Sequence, residues 1–133
     1  MILVDSSVWI DFLRARGTPA DRTLTRLFRD ASGVAVTEVI VMELLAGTRS
    51  SEAPSLGSRL RALPMLTIGG LAGFEAAAGI YRRCREAGTT PRSLTDCLVA
   101  AAAIGAGASL LHADRDFDRI ARHTSLVLEP LDP

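Results

Sequence analysis

The sequence predicts an α/β fold with a mainly parallel central sheet, and two observations carry that reading. Short apolar runs, Ile2–Val4, Val34–Val36 and Ser109–Ala113, alternate with longer segments whose apolar residues recur every three or four positions. The first pattern marks buried strands and the second amphipathic helices. Strands alternating with helices imply right-handed crossovers, and hence a parallel sheet covered by helices.

Taken in order, the opening strand stops at Asp5, and Ser6 or Ser7 can cap a helix to about Arg14. Thr18-Pro19 is a cap followed by a first-turn proline for a second helix, Ala20–Arg29, with Leu24, Leu27 and Phe28 on one side. Gly33 ends it, and Val34–Val36 is the second strand. Thr37 caps a helix over Glu38–Ala46, closed by Gly47. The polar stretch Thr48–Ser58 is expected to be a loop, followed by a helix around Leu60 and Leu63 that Pro64 stops. Met65–Ile68 reads as a strand. Leu71–Glu86 reads as a long helix with Phe74, Ala77, Ala78 and Tyr81 inward. Beyond the loop at Gly88–Arg92, a helix over Leu94–Ala106 leads to the strand Ser109–Ala113. A helix from Asp114 to Arg122 and a strand at Ser125–Leu128 complete the chain. With no linker or repeat, residues 1–133 are expected to form one domain.

Composition narrows the function. Fifteen cations balance fifteen acids, so no basic field announces a nucleic-acid partner. Every cation is Arg; without Lys, no lysine-dependent mechanism is open. Cys84 and Cys97 are too few for a disulfide framework or a CxxC zinc site, and both fall in apolar helical patterns as buried thiols. No signal-peptide pattern or spanning apolar run is present, so a soluble, cytoplasmic protein is expected, with no membrane association.

Several acids stand where acids are costly. Glu43 lies within Val39-Ile40-Val41-Met42-Glu43-Leu44-Leu45-Ala46, apolar on every side. It sits about 140° around the helix from Glu38, at roughly 100° per residue. Glu38 can use the helix dipole in the first turn, whereas Glu43 must meet solvent, an Arg or a cation. Asp96 precedes the apolar run Cys97–Ile104, and Asp114 follows Leu110-Leu111-His112-Ala113. Each alone could be a helix-start acid, and Asp116 and Asp118 follow in the same first turns. Together, Asp5, Glu43, Asp96 and Asp114 each stand where a strand emerges or a buried helix begins. Carboxylates gathered without a basic partner repel one another unless a hard divalent cation neutralises them, and oxygen donors suit Mg²⁺ or Mn²⁺. His112 reads as a strand residue and His123 as a surface residue.

The motifs Val4-Asp5-Ser6-Ser7-Val8-Trp9-Ile10, Met42-Glu43-Leu44-Leu45-Ala46-Gly47, Ser93-Leu94-Thr95-Asp96-Cys97-Leu98-Val99-Ala100-Ala101 and His112-Ala113-Asp114-Arg115-Asp116-Phe117 occur in this order over essentially the whole chain. The chain resembles PIN-domain ribonucleases, specifically the VapC-type toxin of VapBC toxin–antitoxin modules. That resemblance implies a PIN-like three-layer α/β/α sandwich and an acidic site for Mg²⁺ or Mn²⁺ made by Asp5, Glu43, Asp96 and Asp114. Asp116 matches an acid that some members add, and Ser7 a hydroxyl beside the first aspartate. Two departures, Cys97 and His112, touch no ligand position.

On that resemblance the activity is endoribonucleolytic hydrolysis of tRNA or ribosomal RNA by metal-activated water, leaving a 5′-phosphate and a 3′-hydroxyl. Arg82, Arg83, Arg85, Arg92 and Arg115 are the candidates for gripping RNA phosphates. With few aromatics, base stacking on an aromatic platform is not expected. A VapB-type antitoxin would lay a helix on Trp9, Phe12, Leu13, Leu24 and Phe28, and homodimerisation would use other helices. Rival chemistries lack a residue: a phosphoacceptor receiver domain needs a lysine, and a haloacid-dehalogenase-type phosphatase needs a second aspartate where Ser7 stands. The remaining alternative is a catalytically silent PIN fold kept for protein or RNA binding.

Overall fold

Ile2, Leu3 and Val4 form the central strand of the computed structural model, which describes residues 1–133. This strand, β1 (Ile2–Val4), pairs in parallel with β2 (Val34–Ala35) and β3 (Ser109–Leu111), in the order β2-β1-β3. Leu3 stands opposite Ala35 and Leu110, and Val4 opposite Leu111. Leu3, Val4, Leu110 and Leu111 are wholly buried, as a parallel sheet covered on both faces requires. Because the strands run parallel in this register, the segments that follow them leave from one edge. Asp5 extends the ladder there, its N–H donating to the Leu111 carbonyl at 2.9 Å.

Seven helices complete an α/β/α sandwich: α1 (Ser6–Leu13), α2 (Pro19–Arg29), α3 (Glu38–Gly47), α4 (Ala53–Arg61), α5 (Gly70–Glu86), α6 (Leu94–Ala106) and α7 (Arg115–Arg122). α1 packs on α2 and α3, α3 on α4 and α6, and α5 on α6 and α7. α2 starts as its sequence requires, with Pro19 in the first turn and the Thr18 hydroxyl accepting from the Asp21 N–H at 3.2 Å. α6 is small and apolar enough to bury Cys97, Val99, Ala100, Ala102 and Ala103. It closes on Gly107 at φ +64°, the left-handed conformation that glycine adopts without strain. No helix is long and apolar enough to cross a membrane.

Four expectations change. Residues Ala53–Ser58 of the expected loop are helical, because α4 needs only Leu56, Gly57 and Leu60 to face the core. Pro54 is harmless in the first turn of α4, where its missing N–H would have no partner anyway. The strands expected at Met65–Ile68 and Ser125–Leu128 shrink to single bridges, Val36 with Met65 and Leu110 with Leu128. Phe74 is exposed, since the inward stripe of α5 begins only at Ala77 and continues through Ile80 and Cys84, leaving the first turns uncovered. Finally, the cap of α1 is Asp5 and neither serine.

Candidate functional site

Asp5 sits at the end of the central strand and is the N-cap of α1. Its Oδ2 accepts from the Ser7 N–H at 3.0 Å and from the Ser7 hydroxyl at 2.6 Å. The same hydroxyl oxygen accepts from the Ala113 N–H at 3.1 Å, so Ser7 ties the end of β1 to the segment leaving β3. That segment delivers Asp114, the N-cap of α7, whose Oδ1 accepts from the Asp116 N–H and from Arg92 Nη2, both at 3.0 Å. Capping and a site role are therefore compatible in both residues. One carboxylate oxygen is spent on the fold, and the other, Asp5 Oδ1 or Asp114 Oδ2, takes no hydrogen bond from the protein.

α3 carries Glu43 to the same rim, half-buried, with the Ser6 hydroxyl donating to Oε1 at a long 3.5 Å. Asp96 comes from the first turn of α6, behind the Ser93 cap, and accepts no hydrogen bond from the protein. None of Asp5, Glu43 and Asp96 forms an ion pair.

The electrostatics follow from that lack of partners. Burial pushes Asp96 up to about 7, and the negative charges of Asp5, Asp114, Asp116 and Glu43 push the same way. Asp5 is raised by burial against the pull of its Ser7 hydrogen bonds. Glu43 is raised by burial and by Asp5. Asp116 behaves oppositely. It is buried, which alone would raise it, yet the Arg92 N–H and side chain and the Arg119 charge hold it below the usual range. Arg92 Nε and N–H both donate to Asp116 Oδ2 at 3.1 Å, and Arg119 Nη1 to Oδ1 at 3.2 Å.

The expected residues thus separate. Asp5, Glu43, Asp96 and Asp114 face one another across the strand ends, while Asp116 is bound from both sides by arginines. As they stand, no three of these side chains close round a single point. Mutual repulsion favours that spread. The donor set of hard carboxylate oxygens, two of them with a free oxygen and one wholly unbonded, suits Mg²⁺ or Mn²⁺. A bound cation would have to draw them together.

Among the expected phosphate contacts, Arg82, Arg83 and Arg85 are exposed near the end of α5, with Arg85 lying over the Tyr81 ring. Arg92 is committed to Asp114 and Asp116. Arg115 lines a cavity of about 600 Å³ that adjoins Asp114. Two further arginines, which the sequence does not single out, are Arg14 and Arg49, lining a groove of about 350 Å³ that shares Glu43. Their only sequence mark is that each follows the end of a helix carrying or following a site acid.

On another face, Trp9, Phe12 and Phe28 form an aromatic cluster with ring centroids 5.5–5.9 Å apart. With Leu13, Leu56, Leu60, Leu63 and Arg59 it lines an apolar cavity of about 240 Å³. Leu24 is not on this face. It is wholly buried, because α2 turns Ala20, Thr23, Leu24 and Leu27 inward and leaves only Phe28 at the edge.

A family model described as the PIN domain matches residues 2–123. The chain belongs to the PIN-domain family. It is 45% identical over 128 residues to a VapC ribonuclease of Mycobacterium bovis and to Ribonuclease VapC11 of Mycobacterium tuberculosis, covering 95% of this chain and 96% of each relative. The fold of this PIN domain is matched by the structure of VapBC2 from Rickettsia felis bound to a promoter DNA fragment. That match has a TM-score of 0.72 at 19% identity and covers 99% of this chain and 100% of that one. The DNA-bound VapBC of Salmonella typhimurium gives a TM-score of 0.69 at 19% identity, covering 96% of each chain.

Proposed function

We propose that this PIN domain is a Mg²⁺- or Mn²⁺-dependent endoribonuclease, the toxin of a VapBC-type pair that cleaves cellular tRNA or ribosomal RNA in the cytoplasm. One observation carries the proposal: Asp5, Glu43 and Asp96 gather with Asp114 at the carboxyl rim of the sheet, and of the four only Asp114 has a cation, Arg92. A cluster so arranged is electrostatically incomplete until a divalent ion enters. The 45% identity to proteins named VapC ribonucleases supports the same reading.

In this reading Asp5, Asp96 and Asp114 would hold the cation through carboxylate oxygens that carry no hydrogen bond from the protein. The cation supplies charge neutralisation at the scissile phosphate and lowers the pKa of water. Ser7 positions Asp5 and fixes the spacing between β1 and the turn to α7. Glu43, held only by a weak bond to Ser6, is the acid free to take a proton from the attacking water. Asp116 supports the site from behind by anchoring Arg92, and Arg82, Arg83, Arg85 and Arg115 contact phosphates further out.

The partners follow from the apolar surfaces. A VapB-type antitoxin helix would fill the cavity at Trp9, Phe12, Leu13 and Phe28, where Trp9 Nε1 is buried without a hydrogen-bond acceptor. The structural neighbours are themselves described as VapBC complexes. Homodimerisation would use helices away from this patch, where Leu71 and Phe74 are exposed on α5.

The test is cleavage of total RNA with Mg²⁺ or Mn²⁺, with and without EDTA, alongside Asp5→Asn and Asp96→Asn. The expected products carry 5′-phosphates, and chelation or either substitution abolishes them. Cleavage that survives chelation, or products ending in 2′,3′-cyclic phosphates, would sink the metal-nuclease reading.

A further inference from the structure

Resting on that reading, we infer that Arg14 and Arg49 form a phosphate-binding subsite that holds the RNA backbone beside the cleavage site, in the groove leading from Glu43. The groove lies between the C-terminal ends of α1 and α3, with Ile10, Leu44 and Gly47 forming its wall. It shares Glu43 with the acid cluster, so a strand entering it passes directly into the site. The sheet order explains the direction. With β2 on one side of β1 and β3 on the other, Glu43 follows β2 and Asp114 follows β3, so the groove opens at one end of the row of acids.

A site of four carboxylates repels a polyanion, and cations near it must offset that repulsion. Two of the nearby arginines cannot, and Arg115 lines the separate cavity beside Asp114. Arg92 is bound to Asp114 and Asp116, and Arg119 to Asp116. Arg14 and Arg49 are both exposed, and neither side chain makes a hydrogen bond or an ion pair. Arg14 is the C-cap of α1, about 13–14 Å along the helix from Asp5 at 1.5 Å per residue, the reach of a short run of nucleotides. Guanidinium groups suit phosphodiester oxygens because their fork of donors can bind two oxygens at once. Glu52 also lines the groove and opposes an anion there, which gives the subsite a built-in sign test.

The experiment measures binding of a short single-stranded RNA, kept intact by EDTA because the proposed hydrolysis needs a divalent ion, to the full chain by fluorescence anisotropy over a salt series. Arg14→Gln and Arg49→Gln are each expected to weaken binding about fivefold. Each should reduce the salt dependence by about 0.7 in slope, the loss of one single-strand phosphate contact. Glu52→Gln should tighten binding, and Arg122→Gln, a charge-matched control at the end of α7, should change it least. All four positions are exposed, so folding is not in question.

Unchanged affinity and slope in both arginine variants overturns the subsite. So does equal weakening by Arg122→Gln, which would reduce the effect to net charge. Oligoglutamate serves as the second probe. If its binding depends on Arg14 and Arg49 while RNA binding does not, the groove takes an acidic peptide and the proposal fails. Metal-dependent cleavage by the unsubstituted protein, measured in parallel, reports separately on the nuclease reading.

Discussion

Asp96 and Asp116 make the sharpest comparison in the molecule. Each lies in the first turn of a helix, α6 or α7, where the helix dipole favours an acid. Yet Asp96 is pushed up to about 7 and Asp116 is held below the ordinary carboxylate range. The difference is the company each keeps. Asp116 is grasped by the Arg92 N–H, the Arg92 side chain and Arg119, whereas Asp96 faces only other acids. An acid whose charge is already matched is part of the scaffold. One whose charge is left unmatched is waiting for something.

The largest expected effects set these two residues against each other. Asp96→Asn should lower metal-dependent cleavage by about 10³-fold or more, as loss of a group acting at the scissile phosphate does. In the metal-free protein, the same substitution should raise stability by roughly 1 kcal/mol, a value already discounted for the screening that a partly exposed group enjoys. That corresponds to a rise in Tm of a few degrees. Asp116→Asn should do the reverse, costing about 2–3 kcal/mol by breaking a charge-assisted network around a buried group. Its cleavage rate, measured at a temperature where it remains folded, should fall far less. Thermal melts of both variants with EDTA check the pair. A destabilised Asp96→Asn would mean that its charge is matched after all.

The next effect is on pH. The unfolded chain titrates Asp near 3.8, so between that value and about 7 the folded state holds a proton on Asp96 that the unfolded state has lost. Stability of the metal-free protein should therefore fall as pH rises through this window. Asp5 and Glu43, both raised, add to the same trend. Asp116 contributes in the opposite sense: its stabilisation is complete above the unfolded value and is lost as pH drops below it. A melting curve at each pH should thus show an optimum on the acid side of neutrality. Saturating Mg²⁺ should flatten the neutral limb, and the apparent cation affinity should weaken below about pH 7, where the ion must displace a proton from Asp96.

How much of this was legible in the sequence follows from what kind of information each feature needs. Ile2–Val4 and Ser109–Leu111 were plain, because buried parallel strands read as uninterrupted apolar runs. So were the four acids, because a charge inside or beside an apolar segment is conspicuous wherever the chain goes. α4 was obscured because Pro54, Ser55 and Ser58 are loop-like residues, and three core-facing positions suffice to hold a helix. The edge strands are shorter than their apolar runs suggest, because such a run does not state how many residues find a partner, and Met65 and Leu128 each find one. The burial of Leu24 is not legible, because periodicity gives the apolar side of a helix but not what covers it. Arg14 and Arg49 were invisible for the plainest reason. An arginine at a helix end looks like every other one until tertiary packing shows which of them lack a partner.

The smallest effect belongs to Arg92, and it probes the boundary between matched and unmatched acids. Its side chain is 70% exposed and bridges Asp114 to Asp116, one acid from each class. An exposed bridge of this kind is worth under about 1 kcal/mol. Arg92→Gln leaves the backbone N–H on Asp116 and Arg119 in place, so Asp116 keeps a counter-charge and the fold should lose little. What changes is Asp114, which loses its only cation. With one more unmatched carboxylate at the rim, Mn²⁺ should bind a few-fold more tightly, as a nearby positive charge is removed. Calorimetric titration of Mn²⁺ into the variant and the unsubstituted protein measures this directly. Equal or weaker binding would show that Arg92 holds Asp114 in the orientation that the cation needs, and that orientation outweighs charge at this edge of the site.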